Sequence, residues 1–202
     1  MDSLNTIYSD GAFNKDTKPS AWASIVDAEG NDLVPLYLEK WSQYCRNNEQ
    51  KEQKNDTFTF EEKLLNRHKL LKPKSEDEKG STEKKENQLK NVDKRSIAVV
   101  YFPGVLQQNN CAELIALVLA LRLASIESRI KIIYTDSQLL EKYWSKNHVN
   151  ENTKKTMDAN KLAYILECAT LRKQFEERGG TIQYISGDLN LSDLGYHVQK
   201  AK

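Results

Sequence analysis

The chain has 202 residues and a formal net charge of +1, and this length suits one domain with a buried core. The near-neutral total gives no sign of nucleic-acid binding, although a local basic face would be enough for it. There is no signal-peptide pattern and no apolar run of membrane length, and the three cysteines, Cys45, Cys111 and Cys168, lack metal-ligand spacing. We therefore expect a soluble, intracellular protein with free thiols, and the sequence leaves cytoplasm or nucleus open.

Strand-like segments dominate the first part of the chain. Apolar runs bounded by turn residues predict strands over residues 6–13, 21–30 and 32–41, joined by short turns as an antiparallel meander. Residues 96–102, SIAVVYF, resume strand-like sequence further on.

A charged tract separates these segments. About half of the residues between 46 and 95 are charged, with both signs mixed, so we predict a disordered insertion over 46–95. Within it, Phe60, Leu64 and Leu71 lie near one helical face, which predicts a short amphipathic helix over residues 58–71. This helix is either a solvated segment packed loosely on the domain or a docking helix for a protein partner.

The remaining chain alternates helices with strands. The predicted elements are an apolar helix beginning near Asn109 or Asn110 (109–126), a buried strand (130–136), a helix (137–145), a long helix ending at a glycine pair (159–180), a strand (181–186) and a closing helix (191–202). This order mixes antiparallel with parallel connections, so we predict one α/β domain over residues 1–202, with a sheet covered by helices.

Two of the predicted strands end on an aspartate in the same way, IYSDG at Asp10 and IYTDS at Asp136. Open α/β sheets bind ligands beyond the carboxyl ends of their strands, so neighbouring strands would bring these carboxylates together. Glu113 in the first turn of the apolar helix and Asp193 at the start of the closing helix are placed to join them.

Four crowded acids repel one another unless cations are present, and a pair of divalent cations suits two-metal phosphodiester cleavage. Each acid taken alone is more often a turn former, a helix cap or a surface residue. The joint pattern favours a shared site.

The motifs YSDGA, NNCAELIAL, YTDSQ and LSDLGYHVQKA resemble, in the same order, those of the ribonuclease H family of type 1. The resemblance covers residues 5–45 and 96–202, with the charged tract as an insertion. It implies a ribonuclease H-like fold, in which a five-stranded mixed sheet of three antiparallel and two parallel strands is flanked by helices. It also implies a metal-dependent endonuclease that hydrolyses the RNA strand of RNA–DNA hybrids with two Mg²⁺ or Mn²⁺ ions. We expect a monomer.

By this resemblance the catalytic, metal-binding acids are Asp10, Glu113, Asp136 and Asp193. The implied substrate-binding residues are Asn109, Asn110, Ser137 and Gln138. Side-chain amides suit contacts with 2′-hydroxyls and base edges, and the 2′-hydroxyl distinguishes RNA from DNA.

The sequence departs from the family pattern in three places. The loop AFNKDTKPSAW after the first strand differs from the glycine-rich loop of the family. The segment YISGDLNLSD before Asp193 is short and lacks the His that the family often has there, similar to archaeal-type members. Asp188 lies near the position of that His. The closing helix contains Gly195 and Tyr196, and His197 would share the face of Asp193 and tune it rather than replace it.

Residues 142–161 lie where some family members carry a basic handle for nucleic acid. This tract contains Trp144 and five lysines, a mixture that suits phosphate and aromatic contacts. A solvated loop followed by a helix start explains the tract as well.

Two other classes of function remain open. One is a different nuclease of the same fold, such as a junction resolvase or an exonuclease, which the residues of the NNCAEL and YTDSQ motifs disfavour. A non-catalytic module that binds nucleic acid or protein is disfavoured because none of the four acids is missing.

Overall fold

The computed structural model describes residues 3–14, 20–49, 63–68, 96–103 and 109–193. Within these residues there are six β-strands and five α-helices, in the order β1 (Thr6–Asn14), β2 (Ser20–Asp27), α1 (Val34–Glu49), β3 (Lys63–His68), β4 (Ser96–Pro103), α2 (Asn109–Ile126), β5 (Ile132–Thr135), α3 (Gln138–Lys142), α4 (Glu151–Thr156), α5 (Ala159–Glu177) and β6 (Thr181–Tyr184). Short 3₁₀ turns cover Ser3–Asn5, Trp144–Lys146 and Gly187–Leu189.

All of the described strands belong to one mixed sheet, in the spatial order β3-β4-β2-β1-β5-β6. The pairs β3–β4, β2–β4 and β1–β2 are antiparallel, whereas β5 and β6 run parallel to β1. The predicted α/β class, with a mixed sheet flanked by helices, is therefore confirmed, but the described sheet has six strands rather than the expected five.

The core forms around α2. This helix packs on β1 and β2, while α1 and α5 pack against it, so nearly every side of the helix is covered and its sequence is apolar all round. Cys111 in α2 and Cys168 in α5 are buried free thiols. Among the described residues α2 is also long and apolar enough to cross a membrane, contrary to our expectation, but 72% of it is buried within the protein, as in a core helix.

The predicted third strand over residues 32–41 is wrong, because this segment lies at the start of α1. The carboxylate of Asp32 accepts a hydrogen bond from the Val34 N–H at 2.9 Å, which caps the helix. Val34 and Tyr37 are fully buried and Trp41 packs against the core, so the apolar residues follow a helical spacing. The segment has a period near 3.6, which the apolar run alone does not distinguish from a strand. The third antiparallel strand next to β2 is β4 instead.

The predicted amphipathic helix over 58–71 is also wrong where the structure describes it, since Lys63–His68 forms β3. This strand pairs antiparallel with β4, from Lys63 opposite Tyr101 to His68 opposite Ser96. A neighbouring strand edge supplies backbone partners that a short isolated helix lacks, and this favours the strand. The rest of the predicted disordered insertion, apart from the end of α1, lies outside the described residues.

Most elements of the second half agree with their predicted positions. The long helix ends at Glu177 and is followed by Gly179 with φ of 78°, the left-handed conformation expected of a glycine after a helix. The predicted helix over 137–145 is shorter, because α3 gives way to a 3₁₀ turn. The predicted closing helix lies outside the described residues beyond Asp193, and so does His197.

Candidate active site

Asp10 and Asp136 directly follow the last paired residues of two neighbouring strands. The parallel ladder between β1 and β5 runs in register from Thr6 opposite Ile132 to Ser9 opposite Thr135; Asp10 is the next residue of β1, and Asp136 is the first residue after β5. Neighbouring strands are about 4.8 Å apart, so the two carboxylates share one edge of the sheet. Asp10 is 8% exposed.

Tyr8 and Tyr134 reinforce this register. Each tyrosine stands two residues before its aspartate, and the two rings stack with their centroids 5.0 Å apart. Residues two apart in a strand share a face, so Tyr8 and Asp10 lie on the same side of the sheet. We did not predict this contact, although the repeated Tyr-x-Asp spacing in IYSDG and IYTDS carries the signal.

Gly11 brings the first turn of α2 against β1. A Cβ atom at this position would overlap the carbonyl group of Ala112 and the backbone nitrogen of Glu113. Only glycine permits so close an approach of strand and helix. The side-chain oxygen of Asn109 accepts a hydrogen bond from the Phe13 N–H at 3.3 Å, a second link between the same elements. Glu113 is thereby held beside the strand that carries Asp10.

Glu113 interacts with both residues that follow β5. Burial raises the pKa of its carboxyl group, a hydrogen bond from Ser137 opposes this change, and the charge of Asp136 raises the pKa further. Ser137 is 5% exposed, and its own N–H donates to the Thr135 hydroxyl at 3.3 Å. Ser137, which we predicted to bind substrate, thus positions Glu113, and Glu113 and Asp136 repel each other as carboxylates of a shared site should.

Asp193 is attached to the same region through Asn190. The Asn190 side-chain amide donates to the Ser9 carbonyl at 3.0 Å, next to Asp10. Its side-chain oxygen accepts from the Ser192 N–H at 3.2 Å and from the Ser192 hydroxyl at 2.8 Å. The Asp193 N–H donates to the Asn190 carbonyl at 3.1 Å. The link from Asn190 to Ser9 could not be foreseen from the sequence because it joins residues 181 positions apart.

Asp10 and Asp136 thus follow the end of the β1–β5 ladder, Asp136 interacts with Glu113, and the turn that carries Asp193 is linked to Ser9, but the four acids do not form a closed cluster. In the described parts of the chain, no group of three or more His, Cys, Asp and Glu side chains could hold a metal ion. The donor set itself fits a hard divalent cation, since it consists of carboxylate oxygens alone. Burial, and to a lesser extent the charge of Asp136, raise the pKa of Glu113, and a bound cation would favour its ionised form.

The predicted substrate-binding amides lie at the starts of the two helices next to Glu113 and Asp136 in the chain. Asn109 and Asn110 are exposed at the start of α2, and Gln138 is exposed at the start of α3, directly after Ser137. The Gln138 side-chain oxygen accepts from Lys142 at 3.5 Å. Both helices begin at the edge where the carboxylates lie, so an extended polar ligand could contact amides and acids together.

The tract over 142–161 contains more ordered structure than we predicted. It includes α4, which is capped by Asn150, and the start of α5, which is capped by Asp158. The Lys161 ammonium lies 4.5 Å from the centroid of the Trp144 ring, a cation–π contact. Asp188 is exposed in the 3₁₀ turn before Asn190, and no contact to the carboxylates is described for it.

Comparisons with protein-family models, with curated proteins and with solved structures find no match to this chain.

Proposed function

We propose that this protein is a metal-dependent endonuclease with a ribonuclease H-like fold, which hydrolyses the RNA strand of RNA–DNA hybrids. One observation carries the proposal. The in-register ladder of β1 and β5 ends at Ser9 opposite Thr135, one residue before Asp10 and Asp136, and the charge of Asp136 acts on the Glu113 carboxyl group. This supports a shared site of three acids from separate segments beyond the end of β5, since α/β sheets bind ligands beyond the carboxyl ends of their parallel strands.

The sheet also supports the proposed fold. Strands β4, β2 and β1 are antiparallel, and β5 and β6 add two parallel strands beyond β1, as the resemblance implies. The described β3 extends this arrangement at one edge, as part of the insertion.

The four acids would hold the cations, with Asp10 at the centre because its strand lies between β2 and β5. Two bound divalent ions supply an activated water and stabilise the leaving oxygen of a phosphodiester. The protein contributes the positions of the ligands. Ser137 orients Glu113, and Asn190 connects the turn of Asp193 to β1.

Selection of the RNA strand would come from the exposed amides. Asn110 and Gln138 can each donate and accept hydrogen bonds, which a 2′-hydroxyl and a minor-groove base edge both require. Their positions at the starts of α2 and α3 lie on either side of Glu113 and Asp136.

The test is incubation of the protein with a labelled RNA–DNA hybrid in Mg²⁺ and in Mn²⁺. Single-stranded RNA, duplex RNA, duplex DNA and a four-way junction serve as parallel substrates. Internal cleavage of the hybrid's RNA strand, with the other substrates intact, is the expected result. Preferential cleavage of the junction, or digestion from an end, would instead assign a resolvase or an exonuclease.

A second candidate is a non-catalytic nucleic-acid-binding protein with this fold. The observation that favours it is that the described residues contain no group of three acids that could hold a metal ion. Binding of the hybrid without hydrolysis in either metal would support this candidate over the enzyme.

A further inference from the structure

Asn190 stands at a junction between two segments that each carry one predicted metal ligand. Its side chain is 5% exposed and makes three hydrogen bonds, one to β1 and two to Ser192. The bond to β1 ends on the Ser9 carbonyl, one residue before Asp10. The bonds to Ser192 end one residue before Asp193.

The chemistry of this junction is specific to an amide. Asn190 donates from nitrogen to a carbonyl and accepts at oxygen from an N–H and a hydroxyl, so both ends of its amide are used. A carboxylate lacks the donor, and a serine hydroxyl is too short to span from this turn to β1 while still capping the turn. Because the whole set is buried, each lost partner leaves a polar group without a hydrogen bond.

We propose that Asn190 is a positioning residue for the metal site, because its amide sets the position of the Asp193 turn relative to Asp10. The inference rests on the proposed function, in that it needs these acids to bind divalent cations. It assigns to Asn190 an effect on cation affinity that goes beyond its contribution to stability. Partners that orient metal ligands typically change metal affinity by about 10- to 100-fold when they are removed.

The closing experiment measures Mn²⁺ binding to the full-length protein by calorimetry, without nucleic acid. Asn190→Ser removes the hydrogen bond to the Ser9 carbonyl but keeps a hydroxyl within the turn. Asn190→Ala removes the hydrogen bond to Ser9 and the two hydrogen bonds to Ser192. Ser192→Ala is the matched variant, since it removes a buried hydrogen bond of the same turn and keeps the link to β1. Asp32→Ala removes the cap of α1 at the other end of the sheet and controls for a general loss of stability.

We expect both Asn190 variants to bind Mn²⁺ about 10- to 100-fold more weakly than the parent. We expect Ser192→Ala and Asp32→Ala to melt earlier but bind Mn²⁺ as the parent does. If Asn190→Ala does not fold, Asn190→Ser carries the test.

Unchanged Mn²⁺ affinity in folded Asn190→Ser would overturn the inference, and so would an equal loss in Ser192→Ala, because the turn rather than its link to β1 would then be responsible. Both results leave the proposed function standing. A parent protein that binds no Mn²⁺ would overturn the proposed function and this inference together.

Discussion

Two glutamates mark the two ends of α2, and their surroundings are opposite. Glu113 lies near the start of the helix, where burial and the neighbouring charge of Asp136 raise the pKa of its carboxyl group. Glu127 follows the last turn, about 21 Å from Glu113 along the helix axis. It accepts hydrogen bonds from Arg129 at 2.8 Å and from Lys40 at 2.6 Å, and these partners lower its pKa to about 2 although burial opposes them.

The opposite pKa shifts indicate that Glu127 stabilises the fold, whereas Glu113 is a candidate functional residue. Glu127 is ionised among cations, so its charge favours the folded state. Glu113 is held by the packing of Gly11 and by Ser137 next to another carboxylate, so its charge opposes the folded state. Buried acids with raised pKa values beside another carboxylate are candidates for functional sites, and Glu113 is such a candidate whereas Glu127 is not.

The largest expected effect is at the site end. Asp10→Asn should lower hybrid cleavage by about 10³-fold or more, equivalent to about 4 kcal/mol of barrier, because an amide is a poor ligand for a divalent cation. The shape of the side chain is unchanged, so the fold should persist, and relieved repulsion should keep or raise the Tm in the absence of metal. Single-turnover cleavage assays and thermal melts check both parts.

Glu127→Gln is the matched control for Asp10→Asn, since it removes one negative charge at the other end of α2 and should leave cleavage unchanged. Wild-type cleavage by Asp10→Asn in saturating Mg²⁺ would remove Asp10 from the site.

The next effect separates two adjacent amides. Asn110→Ala should lower kcat/KM for the hybrid by about 1–3 kcal/mol through a lost substrate contact, without lowering the Tm by much, because Asn110 is exposed. Asn109→Ala should lower the Tm as well, because the Asn109 side chain accepts a hydrogen bond from the β1 backbone. Asn5→Ala, at the other end of the sheet, controls for removal of an exposed amide. Unchanged kcat/KM in Asn110→Ala would confine this residue to a structural role.

The sequence predicted the elements that carry the candidate acids better than the segments around them, while their joint role as a site stays a prediction. Glu113 and Asp136 could be placed near the start of α2 and directly after β5 because both elements are strongly patterned, whereas β1 continues past Asp10 to Asn14. Residues 32–41 could not, since Val34, Tyr37 and Trp41 are compatible with a strand until the partner surface on α2 is known. Asn190 could not either, because its role depends on a contact with Ser9 that no local pattern encodes.

The pKa values of Glu113 and Glu127 shift in opposite directions, so removing the two charges should have opposite effects on stability. Glu127→Gln should reduce the free energy of unfolding at pH 7 by about 1–2 kcal/mol, less than the full pKa change implies because Lys40 and Arg129 are partly exposed and screened by solvent. The folded-state pKa lies near 2, below the ordinary value of 4.5, so this contribution is present above about pH 5 and is lost as the pH falls toward 2. Urea unfolding at pH 7 and at pH 3 measures it, and the variant should differ from the parent less at pH 3.

Glu113→Gln should act in the other direction. The pKa of Glu113 is raised in the folded state, so its ionised form costs stability at neutral pH, and the parent should regain that stability as the pH falls through the folded-state pKa. The variant should therefore melt slightly later than the parent at pH 7 without divalent ions, while its glutamine oxygen still accepts from Ser137. A lower Tm in this variant would show that Glu113 is stabilised by its neighbours, and the contrast with Glu127 would fail.

The smallest effect is expected from the insertion, which should influence neither end of α2. Deletion of residues 69–93 keeps β3, and it should leave hybrid cleavage within about tenfold, or about 1.4 kcal/mol of barrier. The deleted residues are mostly charged and polar, so they contribute little to the hydrophobic core. The entropic cost of closing a loop changes slowly with its length, so the shorter loop should not unfold the domain.

The longer deletion of residues 48–93 also removes β3 and so exposes the outer edge of β4. An exposed strand edge invites pairing between molecules, so this variant should aggregate more readily and melt earlier than the shorter deletion, while each folded molecule cleaves the hybrid as well. Light scattering and cleavage measured on the monomeric fraction separate the two effects. If the variant lacking residues 69–93 folds but no longer cleaves the hybrid, the insertion contacts the substrate. The residues needed for cleavage would then extend beyond those near Glu113.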